Sequence, residues 1–188
     1  MELARTYTVF EGTRCLSSGP LRDVLLALKA RADAGARAPA LVFDDHTGKQ
    51  LDFDLRGTPE EVVARALPSP GPGRPKLGVV AREVTLLPRH WEWLEAQPSG
   101  ASAALRRLVE EASKRDPGEQ EARRAVEAAS RVMTALAGDL PGYEEASRAL
   151  FARDAKKFEA LVRAWPADVA KHLRRIVGGA LRAGGMSR

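Results

Sequence analysis

The chain has 188 residues, of which 44% are hydrophobic and only 5% aromatic, so a core of ordinary size must consist mostly of Ala, Leu and Val. No apolar run approaches the length of a membrane span, and the N-terminus has no long apolar stretch after a basic start, which argues against a signal peptide. One cysteine, Cys15, excludes an internal disulfide, and the composition is typical of a cytoplasmic bacterial protein.

The net charge of +5 is unevenly distributed along the chain. Residues 1–67 carry nine Lys and Arg against ten Asp and Glu, residues 68–118 carry eight against six, and residues 119–188 carry thirteen against nine. A basic excess after the first third favours an anionic partner such as nucleic acid. A solvated, Arg-rich helical surface has the same composition, so the charge alone does not decide between these two interpretations.

Residues 6–34 predict a hairpin followed by a helix. Tyr7, Val9 and Phe10 favour a strand, and Gly12 can provide the positive φ of a tight turn. Pro20 then begins a helix, because its missing N–H is harmless in the first turn. Apolar residues recur at helical spacing in this segment, at Leu21, Val24, Leu25 and Leu28.

Residues 40–67 repeat the pattern of hairpin and helix. A strand over 40–43 is followed by a turn that contains two aspartates and Gly48, and then Leu51, Phe53 and Leu55 alternate with polar residues as in a half-buried strand. Thr58, Pro59 and two glutamates are typical of a helix start. The N-terminal part therefore predicts an α+β fold class, with a small layer in the order ββαββα.

The strongest predicted boundary is the proline-rich stretch 68–78, PSPGPGRPKLG, whose four prolines and three glycines exclude a regular element. We predict an N-terminal α+β domain over 1–67, a linker over 68–78 and a separate segment over 79–115. A C-terminal helical region over 119–178 and a frayed tail over 179–188 complete the organisation. The first C-terminal helix carries an apolar stripe: Ala122, Val126, Ala129, Met133 and Leu136.

The segment 82–112 resembles a ribbon-helix-helix DNA-binding unit. It has a short β-like stretch, REVTLL, then Pro88 with a first helix, a turn over 99–102 and a second helix over 103–113. A lone strand cannot satisfy its own backbone hydrogen bonds, so it needs a partner, which in that family is the same strand of a second chain. Thirty residues also bury too little surface to fold alone, which independently favours a homodimer.

The resemblance implies a nucleic-acid interface and a dimer interface. The paired ribbon enters the major groove, and the start of the second helix binds a phosphate. The implied nucleic-acid-binding residues in this region are Arg82, Thr85, Arg89, Ser99, Gly100 and Ser102. The implied dimer-interface residues are Val84, Leu86, Leu87 and Trp91, while Trp93 and Leu94 are expected in the core.

The register of the ribbon stays open. In the family's phase, Glu83, Thr85 and Leu87 face the core, and Arg82 is the best base-reading side chain. In the register that is shifted by one residue, Val84 and Leu86 enter the core, as their hydrophobicity favours, and a glutamate then faces the phosphates. Neither phase presents a strong sequence-reading surface.

Two further sets of residues have competing interpretations. Arg74 and Lys76, in the stretch GRPK, resemble a minor-groove hook and also fit an ordinary extended linker. Asp44, Asp45 and His46 suggest a metal site, but aspartates are common in hairpin turns, and no second His or Cys is suitably spaced. We therefore predict no metal, no cofactor and no catalytic residue, so the protein is not expected to be an enzyme.

Over nearly its full length the chain resembles an uncharacterised bacterial family, known as a domain of unknown function (number 2239). The blocks that carry the resemblance are TYTVFEGTR, LVFDDHTGKQLDFDLRG, GRPKLGVVAREVTLLPRHWEWLEAQPSGAS, MTALAGDLPGYEEASRALF and WPADVAKH. The resemblance implies a shared architecture and no activity. Two hypotheses follow: a dimeric DNA-binding protein acting in transcriptional regulation, and a protein-interaction or scaffold module that uses the same dimer. Neither hypothesis involves a membrane.

Overall fold

The computed structural model describes residues 5–36, 38–67, 80 and 82–178. The predicted linker over 68–78 and the predicted tail over 179–188 lie outside the described residues. The chain forms two compact units: residues 1–69 together with 121–188, and residues 70–120. The residues predicted as the N-terminal domain and as the C-terminal helical region thus belong to one unit, which we call the first unit.

The first unit contains one antiparallel sheet of four strands, β1 (Tyr7–Glu11), β2 (Arg14–Gly19), β3 (Ala40–Asp44) and β4 (Gln50–Leu51). The strand order is β2-β1-β3-β4, with α1 (Leu21–Asp33) between β2 and β3 and α2 (Pro59–Ala66) after β4. The predicted order ββαββα and the α+β class are confirmed. The alternation through Leu55 does not continue as a strand, because β4 ends at Leu51.

Local signals explain where these elements begin and turn. Gly12 and Gly48 have φ values of +55° and +66°, as the predicted turns require. Thr58 forms a capping box with Glu61, since its hydroxyl accepts from the Glu61 N–H while the Glu61 carboxylate accepts from the Thr58 N–H. These interactions involve residues close in sequence, which is why the sequence predicts them.

The C-terminal helices of the first unit begin within α5 (Pro117–Ala137) and continue as α6 (Tyr143–Phe151), α7 (Ala155–Val162) and α8 (Ala167–Val177). The predicted stripe on α5 is confirmed, because all five of its residues are buried. Trp165 is also buried and donates its indole N–H to the Pro141 carbonyl at 2.9 Å. None of the helices in the described part of the chain combines the length and hydrophobicity of a membrane span.

The sheet is buried on both faces. Tyr7, Val9 and Val42 pack in a core cluster with Val24 and Leu28 of α1. The alternating residues Phe10 and Phe43 lie in a larger cluster with residues of α5, α6, α7 and α8. Because consecutive residues of a strand point to opposite faces, both sets of strand residues are apolar. One exception is Thr8, which is buried on the face covered by the C-terminal helices.

The second unit contains α3 (Pro88–Glu95) and α4 (Gly100–Arg115), which pack against each other. The turn between them is shorter than predicted. The second helix begins at Gly100 rather than at Ala103. The chain turns at this point, where Gly100 adopts a φ of +74° that glycine tolerates and its N–H bonds to the Gln97 carbonyl at 3.0 Å. The predicted turn residues 100–102 therefore form the first turn of α4.

Candidate functional site

The stretch Arg82–Leu87 precedes α3 and belongs to neither a helix nor a strand that pairs with described residues. Leu87 has extended backbone, with φ −68° and ψ 150°, and α3 begins directly after it at Pro88. A proline disfavours helical backbone in the residue before it, which explains why the helix starts there. Among the described residues this stretch therefore has no paired strand. Its pairing with the same stretch of a second chain stays a prediction.

The predicted dimer-interface residues lie at or near the surface. Trp91 is 36% exposed, Val84 and Leu87 are about half exposed, and Leu86 is partly buried. Leu94 is buried as expected, but the expectation for Trp93 is wrong, since 49% of its surface is exposed. Trp93 precedes Leu94 by one residue and points about 100° away from it around the helix. An eight-residue helix that packs against one neighbour buries only one face, and here that face contains Leu94.

Seven of the ten large exposed hydrophobic residues in the described part of the chain belong to the second unit. We call them the apolar surface of the second unit: Val80, Val84, Leu87, Trp91, Trp93, Leu108 and Val109. By contrast, Leu94 and Ala104 are the only buried residues among those described in this unit. The described part of this unit thus has more exposed than buried large hydrophobic side chains, a pattern that interaction surfaces share.

The predicted nucleic-acid-binding residues are spread along the second unit. Arg82, Thr85 and Arg89 are exposed, and Ser99, Gly100 and Ser102 lie at the start of α4. Ser99 makes no side-chain capping bond, so the first amides of α4 are not capped by it. Arg74 and Lys76 lie outside the described residues.

The charge of the second unit is nearly balanced. Residues 70–120 contain eight Lys and Arg against seven Asp and Glu. On α4, Lys114 lies 2.7 Å from Glu110, and Arg107 lies 4.0 Å from Glu111. The net charge of the unit is therefore only +1, which gives little overall attraction to phosphates.

The first unit contains a polar cluster that the sequence did not predict. We call Thr6, Thr8, Asp45, His172 and Arg175 the polar cluster. The Asp45 carboxylate accepts from the hydroxyls of Thr6 and Thr8 at 2.7 and 2.8 Å and from the Arg175 guanidinium at 2.8 Å. Asp45 therefore joins β1 to Arg175 of α8, which is 130 residues away in the chain, and the Asp45 side chain is only 10% exposed.

The turn interpretation is confirmed for Asp44 alone. Its carboxylate accepts from the backbone N–H of His46 at 2.9 Å, from the Thr47 hydroxyl at 2.9 Å and from the Arg5 guanidinium. Burial would raise the pKa of Asp44, but these donors favour the charged form and together hold the pKa below its usual value. Asp44 stabilises the turn, and this leaves Asp45 to contact α8.

His172 is the most perturbed titratable group of the polar cluster. It is 4% exposed, and its ring packs on Phe10 with the centroids 5.2 Å apart. Burial lowers its pKa to about 4, against the attraction of Asp45 and with the help of the Arg175 charge. Arginine can only donate, so Nδ1 accepts from Arg175 at 3.0 Å and the hydrogen of the neutral ring resides on Nε2. Nε2 has no hydrogen-bond partner within the described residues, and the nearest Asp45 oxygen is 3.8 Å away.

The signal that could have indicated this cluster is the polar stripe of α8. Asp168, Lys171, His172 and Arg175 recur at helical spacing on one face, opposite the apolar residues that enter the core. Asp168 accepts from the backbone N–H of Cys15 at 2.9 Å, where β2 forms a bulge against β1. Cys15 is partly buried, and this burial raises the pKa of its thiol.

Among the residues that the structure describes, no three or more His, Cys, Asp or Glu side chains are arranged to hold a metal ion. The chain was also compared with known proteins. The model of a bacterial family, described as "Uncharacterized protein conserved in bacteria (DUF2239)", matches residues 6–177. Neither the curated proteins nor the solved structures gave a match.

Proposed function

The chain belongs to this uncharacterised bacterial family, and from the geometry of the second unit we propose that it acts in the cytoplasm as a homodimeric protein-interaction module. The observation that carries the proposal is the contrast, among the described residues of this unit, between two buried residues and seven large exposed hydrophobic residues. Two buried residues do not provide the core that a unit of this size needs. Sharing the apolar surface with a second copy supplies the missing core.

The unpaired stretch Arg82–Leu87 supports a second copy as the partner. Its backbone donors and acceptors pair with no strand among the described residues, and the same stretch of another chain provides a partner of matching length. An antiparallel pairing is symmetric about a two-fold axis, so one surface serves both copies. In this arrangement Trp91 lies close to the axis and loses its exposure, together with Leu87 in the phase of the ribbon-helix-helix family or with Val84 in the shifted register.

The balanced charge of the second unit favours protein interaction over DNA binding. A DNA-binding surface gains its affinity by neutralising phosphates with Lys and Arg. Here two of the cations on α4 are already paired with glutamates of the same helix. The dimer therefore offers apolar contact area more readily than positive charge.

DNA binding, in the role of a transcriptional regulator, is the second candidate function. It is supported by the absence of a side-chain cap at Ser99, because uncapped amides at a helix N-terminus can bind a phosphate. Arg82, Thr85 and Arg89 are exposed and lie on the same unit. This interface requires the ribbon to reach the major groove in the dimer.

We expect size-exclusion chromatography with light scattering to give twice the 20.3-kDa mass of the chain at micromolar concentration. Trp91→Ala should raise the dissociation constant of the dimer by about tenfold or more, because a tryptophan near the centre of an interface contributes strongly. Phe151→Ala is the matched control, since Phe151 is an exposed aromatic residue of the first unit. A monomeric wild-type protein, or equal effects of the two variants, would contradict the dimer.

The register can be determined in the same experiment. Neighbouring ribbon residues point to opposite faces, so Val84→Asp and Thr85→Asp place the same charge on different sides. Dissociation by Val84→Asp alone supports the register with Val84 and Leu86 inside the dimer. Dissociation by Thr85→Asp alone supports the phase of the ribbon-helix-helix family.

Fluorescence anisotropy with a random DNA duplex separates the two candidate functions. Binding that weakens steeply with salt, and that Arg82→Gln reduces, supports the DNA-binding protein. A dimer that does not bind the duplex even at low salt supports the interaction module instead.

A further inference from the structure

The first unit contains a cavity of about 560 Å³ between β1 and β2 on one side and the polar stripe of α8 on the other. The strands contribute Thr8, Cys15 and Ser18 to its lining, and α8 contributes Asp168, Lys171, His172 and Arg175. Cavities of 300 to 1,000 Å³ are typical of sites for small organic molecules. The lining contains the cations Lys171 and Arg175, the carboxylate of Asp168 and two hydroxyl groups, so cations exceed anions and favour a negatively charged ligand.

The one carboxylate among the residues given for this lining, Asp168, keeps its charge but is bonded to the backbone of β2. Asp168 accepts the backbone N–H of Cys15 at 2.9 Å and so stabilises the bulge of β2. Lys171, three residues further along α8, is exposed and forms no hydrogen bond or ion pair with the described residues. The ammonium group of Lys171 is therefore available to a ligand.

Arg175 is held in place before any ligand binds. One terminal nitrogen of its guanidinium donates to the Ser18 hydroxyl at 2.7 Å. The other lies within hydrogen-bond distance of the Thr8 hydroxyl at 2.6 Å, of Asp45 at 2.8 Å and of His172 Nδ1 at 3.0 Å. A guanidinium has five N–H donors, so these bonds fix its plane without using every donor. A positioned arginine loses little conformational entropy when it binds an oxyanion.

We propose that this cavity binds a small organic oxyanion, a carboxylate or a phosphate monoester, between Lys171 and Arg175. The ammonium and guanidinium groups contact the oxygens, and the Thr8 and Ser18 hydroxyls line the same side of the site. The organic part of the ligand occupies the rest of the cavity. The site lies wholly within the first unit, so it does not depend on the proposed dimer.

Isothermal titration calorimetry with phenyl phosphate and with benzoate tests this site on the full chain. We expect at least one of these probes to bind with a dissociation constant of about 1 mM or lower. Tighter binding of phenyl phosphate identifies phosphate monoesters as the ligand class, and tighter binding of benzoate identifies carboxylates.

Lys171→Gln should weaken the binding by about tenfold, which is typical of the loss of one charge-assisted hydrogen bond. Lys156→Gln on α7 is the matched control, because it removes the same charge at an exposed position outside the cavity. We expect Lys156→Gln to bind the probe with the same affinity as the wild type. Equal weakening in both variants, or no binding of either probe at about 10 mM, would overturn the proposal.

Discussion

Replacing Gly48 by alanine is expected to lower the free energy of unfolding by about 3 kcal/mol or more. Gly48 has a φ of +66°, and its N–H bonds to the Asp44 carbonyl at 2.7 Å. A Cβ atom at this position would lie 2.2 Å from the carbonyl oxygen and 2.6 Å from the Cα of Ala128 in α5. Because these are backbone atoms of a buried helix, the turn or the helix must move.

Gly12→Ala is the matched control for this prediction. Gly12 has a similar φ of +55°, but a Cβ atom there would contact no atom within 4 Å. Its replacement should therefore lower the free energy of unfolding by only about 1 kcal/mol, which is the cost of the backbone conformation alone. Urea unfolding followed by circular dichroism measures both variants. If both variants lowered the free energy of unfolding equally, the close contact between the Gly48 turn and α5 would not contribute to stability.

The close contact between the Gly48 turn and α5 also explains how the polar cluster is positioned. Arg131 of α5 donates to the Thr47 carbonyl at 2.6 Å, directly beside Gly48 in the turn between β3 and β4. The turn is thus fixed to α5 at one end while Asp44 organises its other end. Asp45, between β3 and this turn, is placed where it contacts α8. The stability of the turn and the geometry of the polar cluster are therefore coupled.

The parts of the fold that the sequence predicts well are those that depend on neighbouring residues. Gly12, Gly48 and the capping residues at Thr58 each act over a few residues, and all three predictions are confirmed. The end of β4 is different. Phe53 and Leu55 still pack against the core, as their alternation predicts, but they form no strand. The alternation of apolar and polar residues indicates which side chains are buried. It does not indicate whether the backbone forms hydrogen bonds with a neighbouring strand.

The polar cluster could not be predicted from the sequence for a related reason. Thr8 and Arg175 are 167 residues apart, and the periodicity of a helix does not reveal which strand its polar face meets. The pattern of Asp44 and Asp45 indicates a turn, and Asp44 fits that indication by itself. Asp45 contacts Thr8 and Arg175 because β3 pairs with β1 and α8 packs beside them, and the sequence does not show this arrangement.

His172 makes the stability of the first unit sensitive to acid. The charged groups that face its ring are Asp45, from the turn after β3, and Arg175, from α8, while β1 contributes the uncharged ring of Phe10. The pKa of His172 is lowered to about 4 in the folded chain, against an ordinary value of 6.5. Between these two values the unfolded chain binds a proton that the folded chain does not bind. The free energy of unfolding is therefore at its full value above pH 6.5 and falls as the pH decreases towards 4.

We expect the wild-type protein to lose about 2 to 3 kcal/mol more stability than His172→Gln between pH 7.5 and pH 4.5. Urea unfolding at the two pH values measures this difference, and the contribution of Asp44 cancels because both proteins retain that carboxylate. His90→Gln is the control, since His90 is exposed on α3 and its loss should leave the pH dependence of the wild type unchanged. If His172→Gln keeps the full acid sensitivity, Asp45 compensates the charge of a protonated His172, and the buried ring must then be able to bind a proton without weakening the fold.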